Sequence, residues 1–250
     1  MHLTSKSQRQ EVWLLSDDRA CGMEVGCERA YLAGVCNLYR LAKPLQEVST
    51  LFRVRDELAT TNLSEEVYPG YPGVVVTEQR LQRMTWGFPL QLRGKQGNLL
   101  KPKPVNNART DKLGSSFWHA SFEKRRCLIP LTAWAEAEGP KGHKTRTWLS
   151  LRDQPIFACA GVWRPSEEWG DVYAMIMTDA CGEAAQCHTR MPVILEPHDW
   201  KQWLLGSPSE ALGLCLPYAG NVVLDRTLQP WAAGRSAPAS ADVSTGRLMP

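Results

Sequence analysis

The residues from Cys127 to Glu138 constrain the fold more than any other stretch, because their character alternates with a period of two. That period sets Trp134, Glu136 and Glu138 on one face of a strand and the small Ala133, Ala135 and Ala137 on the other. A turn at Gly139-Pro140-Lys141-Gly142 follows, and the chain alternates again from Thr145 to Leu151. Ile156 to Trp163 and Val172 to Met177 are apolar runs of the length expected for buried strands. Strand thus follows strand through the middle of the chain, without the intervening helices that a doubly wound parallel sheet requires.

Helical signals are short and lie outside this region. Pro44 opens a helix at the first position, where its missing N–H is harmless, and Leu45, Val48, Leu51 and Phe52 follow at helical spacing. Ser115 or Ser116 can cap a second helix that turns Phe117 and Phe122 inward and ends near Lys124. Pro197 starts a third, with Trp200, Trp203 and Leu204 inward and Gly206 as its stop. A turn-rich link, Tyr68-Pro69-Gly70-Tyr71-Pro72-Gly73, leads into a strand at Val74-Val75-Val76, and Asn221 to Leu224 forms the last strand. Residues 1–35 show weak periodicity and read as an extension outside the mature protein, while residues 231–250, rich in Ala, Ser, Gly and Pro, read as a disordered tail.

Composition excludes several classes. No apolar run approaches the roughly 18 residues that span a bilayer, and Val12-Trp13-Leu14-Leu15 is too short for the apolar centre of a secretory signal. A cytoplasmic protein with no membrane partner is expected. The eight cysteines are then reduced thiols rather than a disulfide framework, and Cys159 is core filler. No cofactor or metal is called for: Cys21 and Cys27 are wrongly spaced for a zinc knuckle, and there is no dinucleotide fingerprint. The net charge of +3 is modest but unevenly spread. Between positions 80 and 126 only Asp111 and Glu123 oppose a series of Lys and Arg interleaved with Trp86, Phe88 and Trp118. A solvated surface accounts for that excess, and so does a groove that follows a phosphate backbone.

Four groups sit where a purely structural role is uncomfortable. Cys36 lies beside Asn37 and near Arg40, a setting that favours thiolate. Asn107 stands in a loop next to Arg109, Glu136 shares its strand face with Trp134, and His188 precedes Arg190 and an apolar strand from Pro192 to Leu195. Singly, each also reads as an ordinary buried cysteine, turn asparagine, surface glutamate or core histidine.

Together they carry a resemblance. The blocks are Cys36-Asn37-Leu38-Tyr39-Arg40, Trp86-Gly87-Phe88-Pro89, Asn107-Ala108-Arg109, Arg126-Cys127-Leu128-Ile129-Pro130 and His188-Thr189-Arg190-Met191-Pro192-Val193-Ile194-Leu195. In that order, from Cys36 to about Leu205, the chain resembles the SRAP family (SOS response-associated peptidase). The resemblance implies one α+β domain over residues 36–230, with a strongly bent, mostly antiparallel sheet closing toward a barrel and helices packed outside. The strand pattern agrees with it.

The resemblance also implies a monomeric DNA-damage protein, nucleoid-associated when bound, that attaches covalently to abasic sites in single-stranded DNA. An N-terminal cysteine would close a thiazolidine on the sugar aldehyde, with autopeptidase or lyase-like activity attached. Cys36 is then the nucleophile, Asn107 orients it, Glu136 moves protons and His188 assists sugar ring-opening. Arg109 and Arg190 grip phosphates, Trp86 and Phe88 wedge or stack bases, and Asn37, Arg40, Gly87, Met191 and Pro192 complete the DNA-contacting set.

The chain departs from the family pattern around the acid, where Ala133-Trp134-Ala135-Glu136-Ala137 replaces a more aromatic Gly-Phe-Tyr-Glu-Trp. It also carries 35 residues ahead of Cys36. Translation starting at Val35, or self-cleavage before Cys36, would expose the required amine. A thiol autopeptidase using Cys36 and His188, and a non-covalent single-stranded DNA-binding module, are the alternative readings.

Overall fold

The computed structural model describes residues 36–58 and 63–232. The expectations for residues 1–35, Cys21 and Cys27 among them, and for most of the tail lie outside the described residues. In chain order the elements begin with β1 (Tyr39–Arg40), α1 (Leu45–Phe52), β2 (Arg55–Asp56), β3 (Glu66–Val67), β4 (Pro72–Val76), β5 (Arg80–Trp86) and β6 (Phe88–Leu90). Next come β7 (Lys103–Val105), β8 (Asn107–Arg109), α2 (His119–Lys124), β9 (Arg126–Leu131), β10 (Ala133–Glu138), β11 (Thr145–Leu151), β12 (Phe157–Ser166) and β13 (Gly170–Asp179). The series ends with β14 (Arg190–Pro192), β15 (Ile194–Leu195), α3 (Trp200–Leu205), α4 (Pro208–Gly213) and β16 (Val222–Pro230).

The larger sheet closes on itself. Its path runs β13-β12-β9-β4-β5, and β5 returns to β13 through a parallel pairing of Thr85 with Val172 and Trp86 with Tyr173. The expected antiparallel sheet bent into a barrel is therefore present. A second sheet has the order β16-β11-β10-β1-β3, and β9 leads into β10 across Thr132, so one continuous segment serves both sheets. Thr132 fixes that corner: its backbone N–H and its hydroxyl both donate to Arg40 O, at 2.7 and 3.0 Å.

Alternation along the strands explains where the cores form. Val74, Val76, Leu81, Leu128, Ala158, Ala160, Val172 and Ala174 face outward and are covered by Val48 and Phe52 of α1, Phe122 of α2 and Trp203 of α3. Arg126 ties this layer together, donating to Phe122 O at 2.8 Å and also to the carbonyls of Trp203 and Gly206. The other face of the closed sheet, including Val75, Met84, Trp86, Ile129, Cys159, Tyr173 and Met175, shares a core with Cys36, Tyr39, Trp134 and Leu149. Cys159 is core filler, as its surroundings in the sequence indicate. The far side of β10 packs Ala133 and Ala135 under Leu38 and Trp148.

Gly73, on β4, lies against Tyr39 of the second sheet. A Cβ there would overlap the hydroxyls of Tyr39 and Tyr173, which hydrogen-bond each other in the shared core.

The helices begin later than their sequence signals. Pro44 is the cap rather than the first residue of α1. Ser115 and Ser116 precede a turn, and α2 starts only at His119 without a side-chain cap. Leu51, assigned to the apolar face of α1, is 42% exposed.

Candidate active site around Cys36

Cys36 sits just ahead of β1, and its backbone is held from both sides. Its carbonyl accepts from Asn106 Nδ2 at 3.1 Å and from Asn107 Nδ2 at 3.0 Å. Its N–H donates to the Glu136 carboxylate. The thiol points toward Leu38 O at 3.9 Å and is fully enclosed in the shared core. Cys36 also has φ of 31°, left-handed backbone that a residue with a Cβ rarely adopts. Such strain costs on the order of 1–3 kcal/mol and persists only where surrounding contacts impose it. Here those contacts are two amides and a carboxyl.

Glu136 reaches Cys36 because of the β10 register. Tyr39 pairs with Trp134 and Arg40 with Ala133, so the next inward-facing residue on β10 after Trp134 is Glu136, beside the start of β1. Its side chain is almost wholly buried, and Oε1 has no hydrogen-bond partner. Burial lifts its pKa to about 8, against the downward pull of the Cys36 N–H and of the Lys144 ammonium. An under-satisfied buried carboxyl of this kind is costly for stability and apt for proton transfer near neutrality.

Burial also drives the Cys36 thiol well above its ordinary value, and the Glu136 charge adds to this. The expectation that Arg40 favours a thiolate is thereby corrected. Strand alternation turns Arg40 to the opposite face of β1, where its guanidinium lies 4.5 Å over the Trp148 ring. It is only partly exposed there and faces away from the thiol.

β13 gathers the remaining polar groups. Its C-terminal half is flanked by β8, with Asn107 opposite Met175 and Arg109 opposite Met177, and by β14, with Arg190 opposite Asp179. Both arginines thus come to the same end of one strand. Arg109 is exposed and its fork is engaged by Asp111, with two contacts of 2.8 Å. Arg190 is half-buried and lies 4.0 Å from Asp179.

His188 stands at the entrance to β14. Its Nδ1 accepts from Arg190 N at 3.0 Å, which leaves the proton of the neutral ring on Nε2. Burial lowers its pKa, and the charges of Arg190 and Lys144 act in the same direction. The Lys144 charge therefore acts on both His188 and Glu136.

The aromatic part of the sequence reading is overturned. Trp86 is fully buried, edge-on to Tyr39 at 5.0 Å, with its indole N–H donated to Asn106 O at 3.0 Å. Phe88 is fully buried against Trp118 and Phe117, under the Arg164 guanidinium at 4.4 Å. Neither ring has a face open to a base. Gly87, Met191 and Pro192 are buried as well. The closing β5–β13 pairing turns the segment from Trp86 to Phe88 inward. Asn37, partly exposed, accepts from Asn106 Nδ2 at 3.2 Å.

Sequence reasoning passed over Asn106 and Lys144. The Asn106-Asn107 doublet was the available signal. Adjacent strand residues normally face opposite ways, but Asn106 lies in the break between β7 and β8, and both amides reach the same carbonyl. Lys144 carried no signal, since only the β10–β11 hairpin brings it back to Glu136.

The fold thus brings the Cys36 thiol, the buried Glu136 carboxyl and the Asn106 and Asn107 amides together at the start of β1, with the His188 imidazole at the entrance to β14. Among the described residues no cluster of three or more His, Cys, Asp or Glu is arranged to hold a metal, and no helix is long and apolar enough to cross a membrane.

The model of one family, SOS response associated peptidase (SRAP), matches residues 35–226, and the chain belongs to that family. A protein of Saccharomyces cerevisiae named as an abasic site processing protein is 28% identical over 159 residues, which is 62% of this chain and 41% of that protein. The chain thus spans well under half the length of this relative. The fold is shared with a protein of Bacteroides thetaiotaomicron at a TM-score of 0.64 and 18% identity, covering 76% of this chain and 91% of that one. A Bordetella bronchiseptica protein matches at 0.64 and 22%, covering 77% and 99%.

Proposed function

We propose that the chain, once it begins at Cys36, captures abasic sites in single-stranded DNA as a covalent thiazolidine. The observation that carries this reading is the placement of Glu136 on the nitrogen of Cys36. A carboxyl buried against that nitrogen suits an amine that must lose and regain protons. The free α-amine attacks the aldehyde of the ring-opened sugar, and water leaves as the imine forms. The thiol then adds to the imine carbon while its proton passes to the nitrogen, closing a five-membered ring. Glu136 relays these protons. Asn106 and Asn107 hold the Cys36 carbonyl so that amine and sulfur stay oriented. Nε2–H of His188 can donate to the sugar oxygen during ring-opening. Arg109 and Arg190 supply the planar forks that suit backbone phosphates.

The positive φ of Cys36 supports the requirement for a free amine. That strain arises against the preceding carbonyl, so it vanishes when nothing precedes the nitrogen. Initiation at Val35 and self-cleavage before Cys36 are the two routes to such a terminus, and an intact mass of the natively expressed protein that shows the full-length chain with no Cys36 terminus would refute both. The name of the yeast relative agrees with abasic-site processing. The reading is of a monomer acting in the cytoplasm, on the nucleoid when bound.

The test is incubation of protein beginning at Cys36 with a single-stranded oligonucleotide carrying one abasic site. A heat-stable adduct is expected, absent with intact DNA and lost in Cys36→Ser. Reversible, salt-sensitive binding alone would reduce the protein to a binding module. Peptide cleavage without any adduct would mark a thiol peptidase.

A further inference from the structure

The sequence has no acidic residue between Glu78 and Asp111, and the cations of that stretch are not scattered by the fold. β6 and β7 pair as an antiparallel hairpin, with Phe88 opposite Val105 and Leu90 opposite Lys103. The connection continues the pairing outward: Arg93 bridges Leu99, Leu100 N–H donates to Leu92 O at 2.9 Å, and Gly94 N–H donates to Asn98 O at 2.8 Å. The result is an ordered finger. Arg93, Lys95, Lys101 and Lys103 are exposed along it. Near its tip Leu99 and Leu100 are also in solvent, 62% and 42% exposed.

The base of the finger leads through Asn106 and Asn107 to the carbonyl of Cys36, so whatever it grips is fixed relative to the nucleophile.

We propose that this finger is the nucleic-acid clamp of the protein. Its cations lie along the phosphates of the strand entering the site, and Leu99 and Leu100 pack on the face of a flanking base. This rests on the single-stranded DNA reading above and supplies the apolar base contact that the buried Trp86 and Phe88 do not. Cations beside exposed leucines fit a strand that offers charge and flat apolar faces together. An anionic vesicle or an acidic polypeptide would make the same use of the lysines, and the test separates them.

Fluorescence anisotropy with a lesion-free single-stranded oligonucleotide is followed over a salt series for the full chain and two variants. In Lys95→Ala/Lys101→Ala/Lys103→Ala the slope of log affinity against log salt should fall by about 2, from about 0.7 per phosphate contact in single strands. In Leu99→Ala/Leu100→Ala the slope should stay and affinity should drop about five- to tenfold, the effect of removing two half-buried leucine contacts. Both variants should melt like the parent, since the replaced side chains are exposed. Wild-type slope in the first or wild-type affinity in the second overturns the proposal. So does a lysine variant that binds the oligonucleotide normally but loses phosphatidylserine vesicles or polyglutamate. Failure of the parent to form any adduct with abasic DNA would count against the Cys36 chemistry and leave the anisotropy result standing.

Discussion

Replacing Glu136 by glutamine should stabilise the protein, and increasingly so as pH rises. The carboxyl titrates near 8 in the fold against an ordinary value of 4.5. Below the lower value both folded and unfolded chains hold the proton, and no difference arises. Between the two the unfolded chain releases it while the folded chain keeps it, so stability falls as pH rises through that window and stays lost above it. At about 1.4 kcal/mol per pH unit, the loss between pH 5 and pH 8 is about 4 kcal/mol. Glutamine does not titrate, fills the same space and can still accept the Cys36 N–H. Urea unfolding of parent and Glu136→Gln at those two pH values gives the comparison, and every other titrating group cancels between the two proteins. The advantage of the variant should grow by about 4 kcal/mol toward pH 8. An advantage that does not change with pH would mean that Glu136 ionises like a surface carboxylate, and the proton-relay argument would lose its basis. A second arm sharpens the test. In a chain beginning at Cys36 an ammonium replaces the amide N–H beside Glu136, which lowers the carboxyl pKa and shrinks the pH dependence.

Asp111→Asn frees the Arg109 fork and should tighten binding of lesion-free single strands about two- to fivefold, the range of an exposed ion pair; unchanged affinity would mean that Arg109 does not meet phosphate. Asn106→Ala and Asn107→Ala should each slow adduct formation about tenfold or more through misplacement of the aminothiol, measured by single-turnover gel shift, with little change in the DNA concentration at half-maximal rate. The acid limb of the adduct rate should lie below the ordinary imidazole value, because burial lowers the His188 pKa and the neutral ring is the useful form; in His188→Gln that limb should disappear. Gly73→Ala should destabilise the fold by about 3 kcal/mol or more, since the new methyl must separate the Tyr39 and Tyr173 hydroxyls within a packed core, and an unchanged urea midpoint would refute the close approach of the two sheets.

Local periodicity made the central strands legible, and chain closure hid much of the rest. The alternation from Cys127 to Glu138 placed Trp134 and Glu136 on the inner face and the alanines on the outer one, as the two cores show. The barrel itself depends on a parallel pairing of β5 with β13, residues far apart in sequence, and two-residue strands such as β1 carry no readable period. The same closure buried Trp86 and Phe88, which their neighbourhood of cations had made look like open stacking platforms. Arg40 was misplaced for a simpler reason. Proximity in sequence to Cys36 was taken as proximity in space, whereas four residues along an extended strand lead away from the starting point.

The candidate site is assembled from strand ends that share partners. β1 pairs with β10, which supplies the carboxyl, and β13 carries β8 and β14, which supply Asn107 and both arginines, with Asn106 and His188 just ahead of them. Glu136, Asn107, Arg109 and Arg190 are positioned by ladder hydrogen bonds, so their aim is set to within the tolerance of a sheet, while Asn106 and His188 lie just ahead of β8 and β14. Of these residues and Cys36, only Cys36 has positive φ. On the proposed reading, Cys36 would lose its strain and gain its amine in one event, the loss of the peptide bond before it. The fold would then couple exposure of that nitrogen to relaxation of the residue that carries it. In a chain cut to begin at Cys36, that coupling should appear as higher stability than in the chain whose Cys36 nitrogen is an amide, by the roughly 1–3 kcal/mol that left-handed strain costs. Equal stability of the two forms at a pH where Glu136 is protonated in both would mean that the strain is not felt.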